Sequence, residues 1–564
     1  MNRLHKNSFR VVALLLALAL IGAPTLLAQT DPGPRPVGNQ FFNAAGPTDV
    51  NGVSLLTTPV RDTHQPADAN GNEGAGNPIR QPDPAAAFWG RTIAIFGQLA
   101  SVNGGTDTSI NPFTGNPNNN PTLVGLGPAF NGNSCFMCHS QPAIGGTSPG
   151  AGTPGFSQNP QITVAHALGG TNAANLSTFL KANGPIREAR FILDENDSTG
   201  KTLDGGVHEL FSIQGRSDAP SNCSLSQPDF ATQIANNNVI FRIPTPVFGV
   251  GLVENVSDAD FVANATLERF NSAGIASGIQ NAVLNRSPND GTVSKFGWKA
   301  QNKSLLLFAG EAANVELGVT NELFTNEKVP GTNCATNQQT EDNTHIVFPT
   351  GQTAADVDAF VSSAVENFAV FMRLNGATSQ CDFASGVDST GAAACKPLGT
   401  SAQHGSQVFN HVGCNLCHTS SFTTQPSSIG GLSNRLFQPF SDFGLHHMGA
   451  TLADGVTQGA AGPDMFRTAP LWGLGQRFFF LHDGRATNLL QAITAHQSDS
   501  TICFDTADSQ SFTVKFPLTT GTSKAFSPVA STHSCGSEAN GVITNFNNLS
   551  PSDKQDLLNF LRSL

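Results

Sequence analysis

The chain has 564 residues, which is long enough for two or three domains with cores of their own. Only 12% of the residues are charged, and the net charge is -12. This acidity argues against nucleic acid or an anionic membrane surface as a partner.

The first 28 residues have the pattern of a secretory signal peptide. Arg3, Lys6 and Arg10 form a positive segment, and the apolar run that follows over 11–21 is too short to span a bilayer. Small residues then lead to a predicted cleavage after Ala28, with no cysteine beside it for a lipid anchor. No later apolar run reaches the length of a membrane span. We therefore expect a soluble periplasmic or secreted protein. Residues 29–85 are rich in Gly, Pro, Asn and Asp, which predicts an irregular N-terminal arm.

Two copies of one motif dominate the chain: Cys135-Phe-Met-Cys138-His139 and Cys414-Asn-Leu-Cys417-His418. C-x-x-C-H is the attachment signature of c-type haem, in which two thiols form thioethers with the porphyrin and the imidazole binds the iron. One copy alone is also compatible with half of a zinc site or with a disulfide. A zinc site made of two Cys pairs does not explain why a His follows both. The sequence therefore predicts two covalently bound haem c groups.

Helices are predicted by apolar residues at helical spacing and by capping residues. The clearest pattern runs over 354–374, and a shorter one over 401–411 leads into the second motif. The last helix starts with Ser550 as N-cap and Pro551 in its first turn. A helix ahead of C-x-x-C-H and a C-terminal helix that crosses it are the arrangement of a cytochrome c domain.

The two motifs divide the chain into two predicted haem domains, residues 86–350 and 351–564. Strand signals are few, at 238–243 and 512–516. The predicted fold class is therefore mainly α, with two cytochrome c-like haem domains, long irregular loops and few short strands.

Six cysteines lie outside the motifs, an even number that fits an oxidising compartment. Six cysteines allow about fifteen pairings, so the sequence does not determine the connectivity. The pairs favoured by proximity are Cys381 with Cys395, Cys503 with Cys535, and the remaining Cys223 with Cys334.

Further motifs carry a resemblance to a known family. They are Arg242-Ile-Pro-Thr-Pro-Val-Phe-Gly, Phe296-Gly-Trp-Lys-Ala300, Leu445-His-His-Met-Gly449, Leu452-Ala-Asp-Gly455, Phe466-Arg-Thr-Ala-Pro-Leu-Trp-Gly and Phe480-Leu-His-Asp-Gly-Arg. In this order they resemble the di-haem oxidoreductase branch, also labelled thiol oxidoreductase-like, of the bacterial di-haem cytochrome c peroxidase superfamily. The resemblance covers roughly residues 85–500.

The resemblance implies different roles for the two haems. The N-terminal haem would have His139 as its sole protein ligand and an open position for peroxide or dioxygen. The C-terminal haem would have His418 and a second, downstream ligand, and would relay electrons to the other haem. We favour His496, at the end of a helix predicted over 487–496, for this ligand. Met448 is the alternative, and His482 is the third candidate.

Cleavage of a peroxide also needs a group that moves a proton between its oxygens. The resemblance implies Glu254 for this role, with His208 as an alternative base. Arg242 could stabilise departing negative charge or bind a haem propionate. For each of the three, a loop position or a buried ion pair is an equally good interpretation.

Two smaller expectations follow from the same resemblance. The carbonyls of Thr468 and Pro470 are candidates to bind a calcium ion. The chain has three tryptophans, of which Trp298 and Trp472 lie in family motifs and Trp89 does not. Each of the two motif tryptophans either bridges the haems or packs in a core, and packing is the more common role.

These features predict an exported peroxidase that reduces hydrogen peroxide with electrons from a small soluble donor, a cytochrome c or a cupredoxin. One alternative is an electron-transfer cytochrome in which both haems are six-coordinate. Another is an oxygenase or oxidase that acts on an organic or protein substrate. The sequence does not separate the peroxidase from the oxygenase, and it leaves the oligomeric state open.

Overall fold

The computed structural model describes residues 29–32, 126–327, 342–346, 360–380, 398–502 and 535–564, apart from short internal gaps of which 272–282 is the longest. The predicted signal peptide, most of the N-terminal arm, the strand at 512–516 and Trp89 lie outside these ranges. Within them, no helix combines the length and the apolar composition that crossing a membrane requires.

Only one cysteine of the predicted disulfides lies in the described ranges. Cys535 is disulfide-bonded, whereas the other five (Cys223, Cys334, Cys381, Cys395 and Cys503) lie outside the described residues. The predicted pairing of Cys535 with Cys503 stays a prediction. The four cysteines of the two C-x-x-C-H motifs form no disulfide.

Twelve helices lie in the described part of the chain. They are α1 (Cys135–Cys138), α2 (Pro160–Leu168), α3 (Phe230–Ala235), α4 (Val250–Glu254), α5 (Asp258–Asn271), α6 (Leu305–Leu317), α7 (Ala364–Leu374), α8 (Thr400–Val412), α9 (Gly449–Leu452), α10 (Leu489–Thr494), α11 (Asn540–Asn547) and α12 (Pro551–Leu561). Short 3-10 turns cover Cys414–Leu416, Gly430–Leu432 and Leu474–Gln476.

Eleven short strands in the same ranges pair antiparallel in five small sheets. They are β1 (Ala129–Phe130), β2 (Glu188–Phe191), β3 (Val207–His208), β4 (Phe211–Ser212), β5 (Val239–Arg242), β6 (His345–Ile346), β7 (Phe360–Val361), β8 (Phe422–Thr423), β9 (Leu436–Phe437), β10 (Leu445–His447) and β11 (Met465–Arg467). The largest sheet has the order β3-β2-β5, and β5 falls within the strand predicted at 238–243. The described residues therefore combine helices with a few short antiparallel strands, while the mainly α class and the two cytochrome c-like domains stay predictions.

Helix α7 belongs to a core that continues across the predicted domain boundary at 350. Its Phe368 and Met372 are buried with Leu305 and Ala309 of α6 in one apolar cluster. The prediction that this helix starts near 354 was wrong, because Phe360–Val361 pairs with β6 as strand β7. Ser363 then caps the helix, since its Oγ accepts a hydrogen bond from the Glu366 N–H.

Helices α8 and α12 confirm the two helical predictions that flank the second motif. Ser550 caps α12 by accepting a hydrogen bond from the N–H of Asp553, and Pro551 occupies its first turn. Gly405 of α8 lies directly against the backbone of α12, and a Cβ at this position would be 2.0 Å from the Asp556 carbonyl oxygen. The two helices therefore cross in close contact, as predicted for a cytochrome c fold.

A buried ionic cluster joins three of the family motifs. Asp454 accepts hydrogen bonds from the Arg242 guanidinium at 2.7 Å, and its other oxygen lies 3.0 Å from the Lys299 ammonium. The three side chains are at most 3% exposed. Burial alone would raise the pKa of Asp454, but Lys299 and Arg242 together hold that pKa below its usual range. The cluster therefore stabilises the fold above the ordinary Asp pKa, and this contribution is lost as the pH falls.

We expect Asp454→Asn to destabilise the protein by about 3–5 kcal/mol, because it removes the carboxylate that pairs directly with two buried cations. The free energy of unfolding from chemical denaturation measures this effect. Asp290→Asn is the matched control, since it removes an ion pair with Lys303 whose carboxylate side is 45% exposed. Equal stability losses in the two variants would contradict the structural importance of the buried cluster.

Candidate functional site

The first C-x-x-C-H motif faces a cavity between α1, β2, β5 and α6. We call this the N-terminal cavity; its lining includes Cys135, Cys138, His139, Arg187, Glu188, Arg190, Arg242, Trp298, Gln301, Glu311, Glu316 and Met372. Ser134 starts α1 because its Oγ accepts a hydrogen bond from the Phe136 N–H. This short helix places both thiols and the imidazole at one cavity wall. His139 is the only histidine among the described lining residues.

The ring of His139 is held by hydrogen bonding to the backbone. Its Nδ1 lies 2.9 Å from the Gly146 carbonyl oxygen, and since a carbonyl only accepts, Nδ1 is the donor. Burial lowers the pKa of His139 to about 4, so the imidazole is neutral at physiological pH. Neutral imidazole is the form that binds iron, and a backbone bond of this kind fixes the ring and its tautomer.

The second motif faces a separate cavity. We call this the C-terminal cavity; its lining includes Cys414, Cys417, His418, His446, Met448, Arg467, Arg477, His482 and His496 together with Trp298. Helix α8 and the turn Cys414–Leu416 present the two thiols and His418. All three predicted candidates for the second axial ligand of the C-terminal haem, His496, Met448 and His482, therefore lie at this cavity.

His418 and His496 share the orientation seen at His139. Nδ1 of His418 donates to the Phe440 carbonyl oxygen at 2.8 Å, and Nδ1 of His496 donates to the Ala492 carbonyl oxygen at 2.7 Å. The latter bond spans one turn, at the end of α10. Burial lowers the pKa of His418 to about 4, with a further contribution from the neighbouring His496. The two neutral imidazoles thus lie near each other in one cavity.

Buried arginines show that the residues of the C-terminal cavity fit a haem. Arg467 donates to the carbonyls of Gly297 and Thr468, and Arg477 donates to those of Pro470 and Trp472. No described carboxylate forms an ion pair with either guanidinium, and burial lowers the pKa of each to about 10, although Asp442 opposes this shift at Arg467. A group with two carboxylates, as haem has in its propionates, would supply further negative charge to both.

The N-terminal cavity offers a comparable group in Arg187. Its Nη1 donates to the Phe179 carbonyl oxygen, while its buried Nε has no hydrogen-bond partner. The guanidinium also lies over the Phe241 ring, 4.9 Å from its centroid. An unsatisfied buried donor at the cavity wall fits an anionic group of a bound haem.

Trp298 is the wall that the two cavities share. Its Nε1 donates to the Ile243 carbonyl oxygen at 2.7 Å. Its ring lies edge-on to His482, which in turn stacks on Phe466 with ring centroids 4.3 Å apart. Trp472 instead packs in the central core beside Phe437. Of the two motif tryptophans, Trp298 therefore has the bridging position.

The three residues predicted for the distal acid-base role lie in different places. Arg242 lines the N-terminal cavity, but its guanidinium donates hydrogen bonds to Asp454 and Gln458. Glu254 is absent from the described lining residues: its carboxylate accepts from the Leu305 N–H at the start of α6 and pairs with Arg373. From the end of α4, Glu254 therefore caps the start of α6 and forms an ion pair with Arg373 of α7.

His208 is also absent from the described cavity lining. Its Nε2 lies 2.9 Å from the Asp204 carboxylate, and its ring stacks on Phe191 with centroids 3.7 Å apart. The carbonyls of Thr468 and Pro470 accept hydrogen bonds from Arg467 and Arg477, respectively. Cationic donors next to both carbonyls do not favour a calcium ion there, and calcium stays a prediction.

Three charged residues of the N-terminal cavity, Glu188, Arg190 and Glu316, were not predicted from the sequence. Strand β2 had not been predicted. Its signal is the alternation of Glu188 and Arg190 with apolar Ala189 and Phe191, the period-two pattern that places both charges on one face. Glu316 lies near the end of α6, next to the backbone of Asn131.

A buried imidazole beside the second motif was also missed. His446 lies between the carboxylates of Asp442 and Glu538, at 2.7 Å from each. Burial opposes protonation, but the neighbouring Cys417 and Asp442 outweigh it and raise the pKa of His446 well above the usual value. A protonated imidazole is therefore held at the wall of the C-terminal cavity.

Comparison with known proteins gives one match. The family model described as "Di-haem oxidoreductase, putative peroxidase" matches residues 188–508, which is more than half of the chain. This segment contains Trp298, the second motif and His496, whereas the first motif precedes it. No curated protein and no solved structure shows a significant match. The chain belongs to the di-haem oxidoreductase family.

Proposed function

We propose that this protein is an exported di-haem c-type peroxidase that reduces hydrogen peroxide with electrons from a small soluble donor protein. The observation that carries the proposal is that two cavities sharing Trp298 differ in the number of histidines they offer to an iron. The C-terminal cavity offers His496 as well as the motif residue His418, whereas His139 is the only histidine among the described residues of the N-terminal cavity. An iron held on both sides suits electron relay, and an iron held on one side suits peroxide binding.

In this proposal each cavity holds one haem covalently. Cys135 and Cys138 would form the thioethers in the N-terminal cavity, and Cys414 and Cys417 those in the C-terminal cavity. Burial raises the pKa of Cys135 and of Cys414 to about 12, so both are neutral thiols before attachment. The His that directly follows each Cys pair supports haem attachment over a zinc site. When bound, haem supplies one-electron redox chemistry and a site for peroxide.

The remaining roles belong to side chains of this chain. Arg467 and Arg477 would orient the C-terminal haem through its propionates, and Arg187 would do so in the N-terminal cavity. Trp298 would keep the two cavities apart and offer the path for electrons from the C-terminal to the N-terminal one. The apolar lining of both cavities would exclude water. Export by the predicted signal peptide would bring the protein to the periplasm or the medium.

One observation favours a second candidate function. Met372 of α7 lines the N-terminal cavity and is buried, and a thioether sulfur is a common axial ligand of cytochrome iron. If Met372 bound the iron in that cavity, no position would remain for peroxide. The protein would then be an electron-transfer cytochrome without peroxidase activity.

Spectra of the purified holoprotein test the proposal. We expect that cyanide or carbon monoxide binds to one of the two haems, and that peroxide oxidises a reduced soluble donor with two electrons per molecule consumed. If no haem binds an external ligand in the oxidised, half-reduced or reduced state, the peroxidase proposal fails. In that case Met372→Leu decides the alternative. If this variant binds cyanide or carbon monoxide, Met372 blocks the iron of the N-terminal cavity in the wild type, and the protein is an electron-transfer cytochrome.

A further inference from the structure

We infer that Asp31 is a positioning residue for the C-terminal haem, because it fixes the helix that is followed by the proposed axial ligand His496. This inference rests on the proposed function, in which His496 closes the iron of the relay haem. Asp31 belongs to the short described segment 29–32, which contacts α10 and α12 near the other end of the chain. With the predicted cleavage after Ala28, Asp31 would be among the first residues of the exported chain.

Helix α12 and the residue that follows it hold this segment. The Arg562 guanidinium donates from Nε and from Nη2 to the two carboxylate oxygens of Asp31, at 2.7 Å each. This bidentate pair is buried, since the side chains of Arg562 and Asp31 are 1% and 8% exposed. One position earlier, the backbone of Thr30 exchanges two hydrogen bonds with the Gln555 amide, at 3.0 Å each. No other described carboxylate forms an ion pair with Arg562, so Asp31 supplies its counter-charge.

The same carboxylate also binds the start of helix α10. The Leu489 N–H donates to Asp31 Oδ2 at 2.6 Å, across 458 positions of the sequence. Helix α10 has no acidic residue in its own first turn, and a negative charge is favourable there. Leu489 is also buried in an apolar cluster. Apolar packing has no preferred direction, whereas a hydrogen bond does. Asp31 therefore fixes where and at what angle α10 begins.

The position of α10 determines the position of His496. Seven positions separate His496 from Leu489, which is about two helical turns, and both residues line the C-terminal cavity. The N–H of His496 donates to the Ile493 carbonyl at 3.1 Å, and its Nδ1 donates to the Ala492 carbonyl at 2.7 Å. The imidazole is thus tied to the helix on both its backbone and its ring, so a displacement of α10 displaces it as well.

Arg562 extends the contacts of Asp31 to another wall of the same cavity. Its Nη1 donates to the carbonyls of Gly475 and Arg477 at 3.2 and 3.3 Å, and its guanidinium lies 5.3 Å from the centroid of the Phe480 ring. Arg477 and Phe480 both line the C-terminal cavity. Asp31 is absent from the described lining residues. Its effect on a haem in this cavity is therefore indirect, through the elements that it joins.

Asp31→Ala tests the inference in the purified di-haem protein. The variant removes the bond to Leu489 and the counter-charge of Arg562 but keeps His496. We expect dissociation of His496 from the iron to become more favourable by about 10- to 100-fold, the effect of losing a hydrogen bond to a charged group. Cyanide traps the opened iron, so its slow binding to the C-terminal haem should accelerate by the same factor. Electron paramagnetic resonance should show altered g-values for that low-spin haem.

Ser550→Ala is the matched control. It removes the N-cap of α12 and so destabilises the same helix, but it leaves every contact of Asp31 in place. The g-values and the slow phase of cyanide binding should match those of the wild type. Equal changes in Ser550→Ala and Asp31→Ala would overturn the inference, because they would reflect a general loss of stability. Wild-type behaviour of Asp31→Ala would overturn it as well.

Gln555→Ala provides the test if Asp31→Ala does not yield folded holoprotein. It removes the two bonds to Thr30 that hold the segment but keeps the pair of Asp31 with Arg562. We expect the slow phase of cyanide binding to accelerate by about two- to tenfold, as for the loss of neutral hydrogen bonds. An unchanged slow phase in Gln555→Ala would then overturn the inference.

Failure of the inference differs from failure of the proposed function. If His496→Ala converts the C-terminal haem to high spin while Asp31→Ala matches the wild type, the relay haem stands and the role of Asp31 falls. If His496→Ala leaves the low-spin signal unchanged, the ligand assignment falls together with the inference. Peroxide-dependent oxidation of a reduced donor by the wild type tests the peroxidase proposal separately. The intact mass of the exported protein adds one more test, since a mature chain that begins after Asp31 would overturn the inference.

Discussion

The double variant Cys135→Ala/Cys138→Ala is expected to carry one covalently bound haem instead of two. These thiols are the only described cysteines that line the N-terminal cavity, so no other described cysteine can replace them. Peroxidase activity should fall to background, because the haem that remains lies in the C-terminal cavity. The pyridine haemochrome assay and the intact mass of the denatured protein measure the covalently bound haem.

The reciprocal variant, Cys414→Ala/Cys417→Ala, is the matched control. It should also retain one haem, but that haem should still bind cyanide, because the N-terminal cavity is unchanged. Two covalent haems in either variant would contradict the attachment sites. A wild-type protein that binds zinc in place of haem would contradict the cofactor itself.

His496→Ala is expected to convert the C-terminal haem from low spin to high spin. The Nδ1 bond to the Ala492 carbonyl holds the ring of His496 in the cavity that contains His418, and the substitution removes one strong axial ligand. Electron paramagnetic resonance of the oxidised protein should show that one haem equivalent of low-spin signal disappears. The wild-type haem should also have a low potential, because a second imidazole favours the oxidised state more than a thioether does.

Met448→Leu and His482→Ala are the controls for this assignment. Both residues line the C-terminal cavity, but His482 stacks on Phe466, which suits a packing role. Both variants should keep the low-spin signal. If His496→Ala left that signal unchanged while Met448→Leu abolished it, Met448 would be the ligand.

Local patterns in the sequence predicted the helices around the second C-x-x-C-H motif well. Ser550, Pro551 and the apolar spacing of the last helix identified α12, and the helix ahead of Cys414 was predicted to within one residue at each end. His496 follows α10, a helix that the sequence also predicted, over 487–496. These predictions succeeded because capping and helical spacing act within a few residues.

The N-terminal cavity was less predictable because its lining comes from distant segments. Glu188, Arg242 and Glu316 meet through strand pairing and helix packing, and nothing local in the sequence indicates that they approach one another. Glu254 had been chosen for its place after a family motif, yet its carboxylate caps the start of α6. A motif position alone does not determine which cavity a side chain faces.

Arg477 also bears on how the protein would mature. It is buried and forms no ion pair with a described carboxylate, and a buried cation of this kind costs free energy. The polypeptide alone would therefore close the C-terminal cavity at a disadvantage. An anionic group that binds only the closed form shifts the equilibrium toward closure. In the proposed di-haem protein, Cys414 and Cys417 would therefore be more accessible before haem attachment than after it. Haem attachment would in this way favour completion of the fold.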